Sequence, residues 1–108
     1  MELTKNEELL LLSILKLKDR AYGVTIRKNY KAVTGKALNY GSMYNTLYLL
    51  VRRGLAVAKE SEPESRKGGR RKILYSITSD GKKALLEAQK IHRSAWDGIS
   101  DLAIEEKK

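Results

Sequence analysis

Asn39-Tyr40-Gly41-Ser42-Met43-Tyr44-Asn45-Thr46-Leu47-Tyr48-Leu49-Leu50-Val51-Arg52-Arg53-Gly54 is the stretch around which the rest of the chain is arranged. Asn39 is an N-cap residue and Gly54 suits the position just past a helix end. Arg52 and Arg53 put positive charge in the last turn, where the helix dipole favours it. These signals bracket one helix. Tyr44, Leu47, Leu50 and Val51 recur at helical spacing and form an apolar stripe suited to a core. The opposite face reads Tyr40, Ser42, Asn45, Thr46, Leu49 and Arg53. Short polar side chains and a tyrosine at the N-terminal end suit a helix entering a DNA major groove end-on, where hydroxyls and amides meet base edges and phosphates. An ordinary amphipathic helix with a solvated face carries the same pattern, so the flanking sequence has to decide.

Upstream, Thr4-Lys5-Asn6-Glu7 has capping-box spacing and opens a helix expected to run to about Lys18. Leu9 to Leu12, Ile14, Leu15 and Leu17 cover more than one stripe of it, so it should be contacted on two sides, one of which can be a second subunit. Tyr22-Gly23 opens a second helical pattern through Val24, Ile26, Tyr30 and Val33, closed by Thr34-Gly35, with Lys28, Lys31 and Lys36 on or near its outer side. Only a few residues separate it from Asn39. Two helices joined by so short a turn form a helix-turn-helix pattern, in which the second member reads the groove.

Downstream the period changes to two. Leu55 and Val57, then Ile73, Tyr75 and Ile77, alternate with Ala56, Ala58, Leu74 and Ser76, which predicts two strands with one buried face. The connecting tip starts acidic, at Glu60, Glu62 and Glu64, and turns basic at Arg66, Lys67, Arg70, Arg71 and Lys72, around Gly68-Gly69. Such a loop can neutralise phosphates or enter a minor groove; a solvated basic turn that blocks strand pairing is the competing reading. Thr78-Ser79-Asp80 then caps a helix expected to continue from Gly81 to about Glu105. Leu85, Ala88, His92, Ala95, Ile99 and Leu102 form its heptad-like seam, and Trp96, the single tryptophan, lies in the middle. A helix of this kind on a domain too small to cover it is a dimerisation candidate. Trp96 either anchors that interface or, paired with its copy, stacks on a planar ligand. His92 reads as an interface residue with a pH response open to it.

Charge separates the two parts. The 108 residues carry a net +9, but residues 1–78 hold 16 Lys and Arg against 7 acids, whereas residues 79–108 hold 6 against 6. The excess lies entirely on the part with the helix pair and the hairpin, as expected where one part meets nucleic acid and another does something else. No cysteine and one histidine disfavour disulfides and metal sites, and no paired acids or phosphate-cradling loop suggest an enzyme. No cofactor is expected. No apolar run is long enough for a bilayer, and the expected chain is soluble and cytoplasmic, without membrane contact.

Three blocks in order, Ala21-Tyr22-Gly23, then Gly41-Ser42-Met43-Tyr44 with Leu47, Leu50 and Gly54-Leu55, then Gly69-Arg70-Arg71-Lys72 with Tyr75, Thr78 and Gly81, resemble the PadR family of transcriptional regulators. The resemblance implies a mostly α fold with a small β-hairpin: a winged helix-turn-helix DNA-binding domain over 1–78 and a dimerisation helix over 79–108, in the family's short subfamily with one C-terminal helix. It further implies a repressor of a nearby gene, released by a small molecule. Carried over by position, Asn39, Tyr40, Ser42, Tyr44 and Asn45 lie at the DNA end of the recognition helix, and Arg66, Lys67, Arg70, Arg71 and Lys72 form the wing. Leu85, Ala88, Ala95, Ile99 and Leu102 join the subunits, and Trp96 with His92 would meet a planar aromatic effector. The expected partners are double-stranded DNA, a second copy of the chain and that small molecule. Two other readings stay open: a multidrug sensor whose inter-subunit cleft at Trp96 is the main site, and a non-specific architectural DNA-binding protein.

Overall fold

The computed structural model describes residues 2–62 and 71–105. Helix α1 (Lys5–Leu17) leads through a single 3-10 turn (Lys18–Arg20) to α2 (Gly23–Thr34) and α3 (Tyr40–Arg52). The antiparallel strands β1 (Ala56–Glu60) and β2 (Ile73–Ile77) follow, then α4 (Ser79–Trp96) and a short α5 (Asp101–Glu105).

The capping box forms as the sequence requires. The Glu7 N–H donates to the Thr4 hydroxyl at 3.1 Å while the Thr4 N–H donates to Glu7 Oε1 at 2.8 Å. From that start α1 becomes the centre of the molecule, packed against α2, α3, β2 and α4. Its Leu10, Leu11 and Ile14 are buried with Ile26 of α2, Met43, Leu47 and Leu50 of α3, and Leu55. Two polar ties fix α1 on α2: the Ser13 hydroxyl donates to Asn29 Oδ1 at 2.7 Å and the Tyr30 hydroxyl to Asn6 Oδ1 at 2.9 Å.

The hairpin register pairs Ala56 with Ile77 and Ala58 with Tyr75. Directly opposed residues share a face, so Ala56 goes inward with Tyr75 and Ile77, and Val57 points out. This corrects the expected phase of the first strand. Leu55, buried but ahead of β1, belongs to the turn after α3 and does not set the strand's alternation. The sheet is tied to the body at two points: the Tyr75 N–H donates to the Ala21 carbonyl at 2.8 Å, and the Thr78 N–H to the Leu55 carbonyl at 3.1 Å. The first turn of α4 then passes so close that a Cβ on Gly81 would lie 2.2 Å from the Leu55 carbonyl oxygen.

The C-terminal helix is not continuous. α4 ends at Trp96, Asp97 leaves the helical region, and Gly98 takes φ +83° before α5 begins. A left-handed residue cannot continue a right-handed helix, which is why the seam read from Leu85 to Leu102 is broken after Ala95. Among the described residues no helix is long and apolar enough to cross a membrane, and no group of three or more His, Asp or Glu side chains could hold a metal ion.

Candidate nucleic-acid interface

The N-terminal end of α3 is built by its own sequence. Asn39 stands in extended backbone and its side-chain oxygen accepts from the Ser42 N–H at 3.1 Å, so the helix starts where the cap predicts. Tyr40, Ser42, Tyr44, Asn45, Tyr48 and Leu49 are exposed along this helix. Thr46 is half-buried, its hydroxyl donating back to the Ser42 carbonyl at 2.9 Å.

The buried stripe is Met43, Leu47 and Leu50, at i, i+4 and i+7, with Val51 half-buried beside it. Tyr44, expected in the core stripe, is one position on and therefore rotated by about 100°; it is 45% exposed. Its ring lies over the start of α2, and a Cβ on Gly23 would fall 2.0 Å from the Tyr44 hydroxyl oxygen. The glycine of Ala21-Tyr22-Gly23 is thus required by a tyrosine from the neighbouring helix. Burial, and secondarily the nearby Tyr44 hydroxyl, raise the Tyr75 pKa above the ordinary phenol value.

Arg53 was expected on the outer face and is not there. Its guanidinium donates to Glu7 Oε2 and to the Glu2 carbonyl, both at 2.7 Å, so it fastens the end of α3 to the start of α1. At Glu7, burial favours the neutral acid, but the Thr4 N–H and the Arg53 guanidinium outweigh it and hold the pKa below the usual carboxylate value.

Arg27 of α2 had no role in the sequence reading, yet it organises the turn before α3. Its Nε–H donates to the Leu38 carbonyl at 2.6 Å, and its guanidinium stands 4.4 Å from the centroid of the Tyr40 ring. Tyr40 in turn stacks on Tyr44 with centroids 6.2 Å apart and planes 18° apart. A cation and two rings therefore line up across the entrance of the exposed helix. Helical periodicity could not reveal this, because Arg27 and Tyr40 meet only through the angle between the two helices.

On the hairpin side, Lys72 Nζ lies 4.2 Å from the Tyr22 ring centroid. Arg71 approaches Glu60 across the strands at 3.4 Å, so the acidic start of the tip offsets part of its basic end. Arg66, Lys67 and Arg70 lie outside the described residues. Of the tail residues, Leu85 is buried in the chain's own core. Ala88 is half-buried, while Ala95, Ile99 and Leu102 are exposed. His92 Nε2 meets Glu8 Oε1 of α1 at 3.1 Å, and Trp96 is 51% exposed at the end of α4.

Residues 11–87 match the model of the transcriptional regulator PadR-like family. Among solved structures, the chain is similar to a protein from Thermoplasma acidophilum described as a transcriptional regulator, with 28% identity and a TM-score of 0.71 over 94% of this chain and 96% of that one. It is similar as well to a PadR family transcription regulator from Clostridium difficile, at 28% identity and a TM-score of 0.66 over 82% of this chain and 88% of the other. The fold extends to BpsR of Bordetella bronchiseptica, at 18% identity and a TM-score of 0.65 over 95% of this chain and 72% of BpsR, a protein whose DNA binding is regulated by 6-hydroxynicotinic acid. No curated protein matches the sequence.

Proposed function

The chain belongs to the PadR-like family of transcriptional regulators, and from that premise we propose that it is a homodimeric, sequence-specific repressor of transcription in the cytoplasm, reading a palindromic site with its two α3 helices. The observation that carries this reading is the exposed, polar N-terminal end of α3, held in register by the Asn39 cap and the Arg27 clip. Asn39, Tyr40, Ser42 and Asn45 present amide and hydroxyl groups toward base edges, and the tyrosine rings offer apolar contact. Tyr44 is a neighbour of these residues and has its hydroxyl directed to Gly23, so it supports the interface more than it reads bases. The wing residues Arg66, Lys67, Arg70, Arg71 and Lys72 add phosphate or minor-groove contacts that fix the register. A two-fold arrangement places the recognition helices about 34 Å apart, one turn of the duplex.

A second reading, response to a small molecule, rests on the half-exposed indole of Trp96 beside His92 on α4. In a dimer the two indoles would line a cleft in which a planar aromatic ligand stacks. A ligand that prefers one spacing of the subunits then shifts the DNA-competent population. BpsR, similar in fold, offers a precedent for effector control of DNA binding.

Selection of bound fragments from random double-stranded DNA by the full chain tests the main reading. A two-fold consensus is expected; enrichment without any consensus would leave only non-specific, architectural binding. Titrating the selected complex with planar aromatic compounds while following Trp96 fluorescence tests the second. Quenching accompanied by release of DNA is expected, and no change across a broad panel would reduce Trp96 to a packing residue.

A further inference from the structure

Along its length the outward stripe of α3 changes from polar to apolar. Asn45, Tyr48, Leu49 and Arg52 stand at i, i+3, i+4 and i+7 and are all exposed, opposite the buried Met43, Leu47 and Leu50. Two large apolar side chains, Tyr48 at 56% and Leu49 at 42% exposure, thus occupy the middle of a face proposed to meet a polyanion. The helix carries no lysine and no acid. The arginines at its end are engaged: Arg52 Nη1 donates to the Tyr48 hydroxyl at 3.3 Å, its guanidinium 5.9 Å from that ring's centroid, and Arg53 is tied to Glu7 and Glu2. Tyr40 and Tyr44 are taken up by Arg27 and by one another. Leu49 lies outside the core cluster.

We propose that Leu49 is a specificity-determining residue that reads the C5-methyl group of thymine, in a half-site of A·T pairs whose adenine is met by Asn45. Guanine shows two acceptors in the major groove, O6 and N7, and calls for the paired donors of an arginine or a lysine. Arg52 is held on Tyr48 at the far end of the stripe, and the rest of the stripe has no cation. Cytosine shows an amino donor and calls for a carboxylate, which α3 lacks. Adenine sets a donor beside an acceptor, a pair that one carboxamide matches, and thymine carries the apolar group of the groove. A leucine gains nothing against a phosphate; it leaves water favourably only where it meets another apolar group. Tyr48, braced by Arg52, adds an apolar wall on the same stripe. The competing explanation, that Leu49 is one of the scattered apolar residues any surface carries, predicts indifference to the methyl group.

The proposal rests on the DNA-binding reading above, and one experiment separates the two. Affinity of the full chain is measured for its selected fragment and for the same fragment with each half-site thymine replaced in turn by deoxyuridine, which removes the methyl group and keeps the base pairing. Wild type should lose about fourfold at one position, the transfer value of one buried methylene. L49A should bind both duplexes alike, with the affinity wild type shows for the deoxyuridine one, while V33A, which trims an exposed apolar residue of α2, keeps the wild-type response. Replacing a half-site adenine by 7-deazaadenine removes N7, and N45A should in the same way become indifferent to it. Half-sites without thymine, a wild type indifferent to deoxyuridine at every position, a response that survives L49A, one that V33A also abolishes, or a response to 7-deazaadenine that survives N45A would each overturn this assignment while leaving DNA recognition standing. Enrichment without any consensus would overturn both.

Discussion

Glu7 shows how one side chain can join three segments. It closes the α1 capping box through Thr4 and receives Arg53 from the end of α3, from a position that is almost fully buried. Because its folded pKa lies below the ordinary carboxylate value, the ionised form stabilises the fold at neutral pH. That contribution is complete above the unfolded value, about 4.3, and is lost as pH falls through the folded one. Replacing Glu7 with Gln should therefore destabilise the protein by roughly 1 to 3 kcal/mol near pH 7, the usual cost of a charge-assisted bond lost from a buried site. Thermal melts of wild type and E7Q from pH 7 to pH 3 check this: the gap should close toward the acid end, and a pH-independent gap would refute the assignment. Half of this site was legible in the sequence. The cap depends on a spacing of three residues and was read directly. The destination of Arg53 depends on where α3 lands against α1, 46 residues away, and helical phase alone sent it outward.

At the scale of elements, starts and stops were more legible than faces. Asn39, Thr4 and Thr78 all cap the helices they were expected to cap, because a cap is a local hydrogen bond. Faces depend on what arrives from elsewhere. Met43 took the core position expected of Tyr44 because the tyrosine ring found room over Gly23, and Ala56 turned inward in place of Val57 because the register with β2 demanded it. The break after Trp96 was missed for a related reason. Asp97-Gly98 interrupts a sequence otherwise rich in helix formers, and periodicity alone ran across it. At φ +83° any residue with a Cβ is strained by roughly 1 to 2 kcal/mol, so Gly98→Ala should shift the tail toward a continuous helix. Circular dichroism should then show more helix in the variant with the melting of the α1–α3 core unmoved. Equal helix content, or a lowered core melting temperature, would mean that the break is fixed by packing and not by the glycine.

The whole molecule is stretched. Its Cα radius of gyration is 16.6 Å with extents of 61 × 28 × 21 Å, whereas a compact chain of this length would have about 13 Å. α4 and α5 leave Leu86, Ile91, Trp96, Ile99, Leu102 and Ile104 exposed, Leu102 at 78%. So many apolar side chains on a tail that carries no net charge are poorly suited to water and equally poorly suited to a polyanion. In the proposed dimer a second copy of the tail would satisfy both constraints, and it would separate the cationic reading surfaces by a distance fixed in protein rather than in DNA. On this argument Ile91→Glu combined with Leu102→Glu should leave the buried core intact, since neither residue enters it, and should convert a sedimenting dimer into single chains. Each half-site would then be bound alone, and affinity for a two-fold operator should fall by at least about tenfold, about 1.4 kcal/mol. Wild-type chains that sediment singly at micromolar concentration, or a double variant that still pairs, would show that the exposed tail serves something other than self-association.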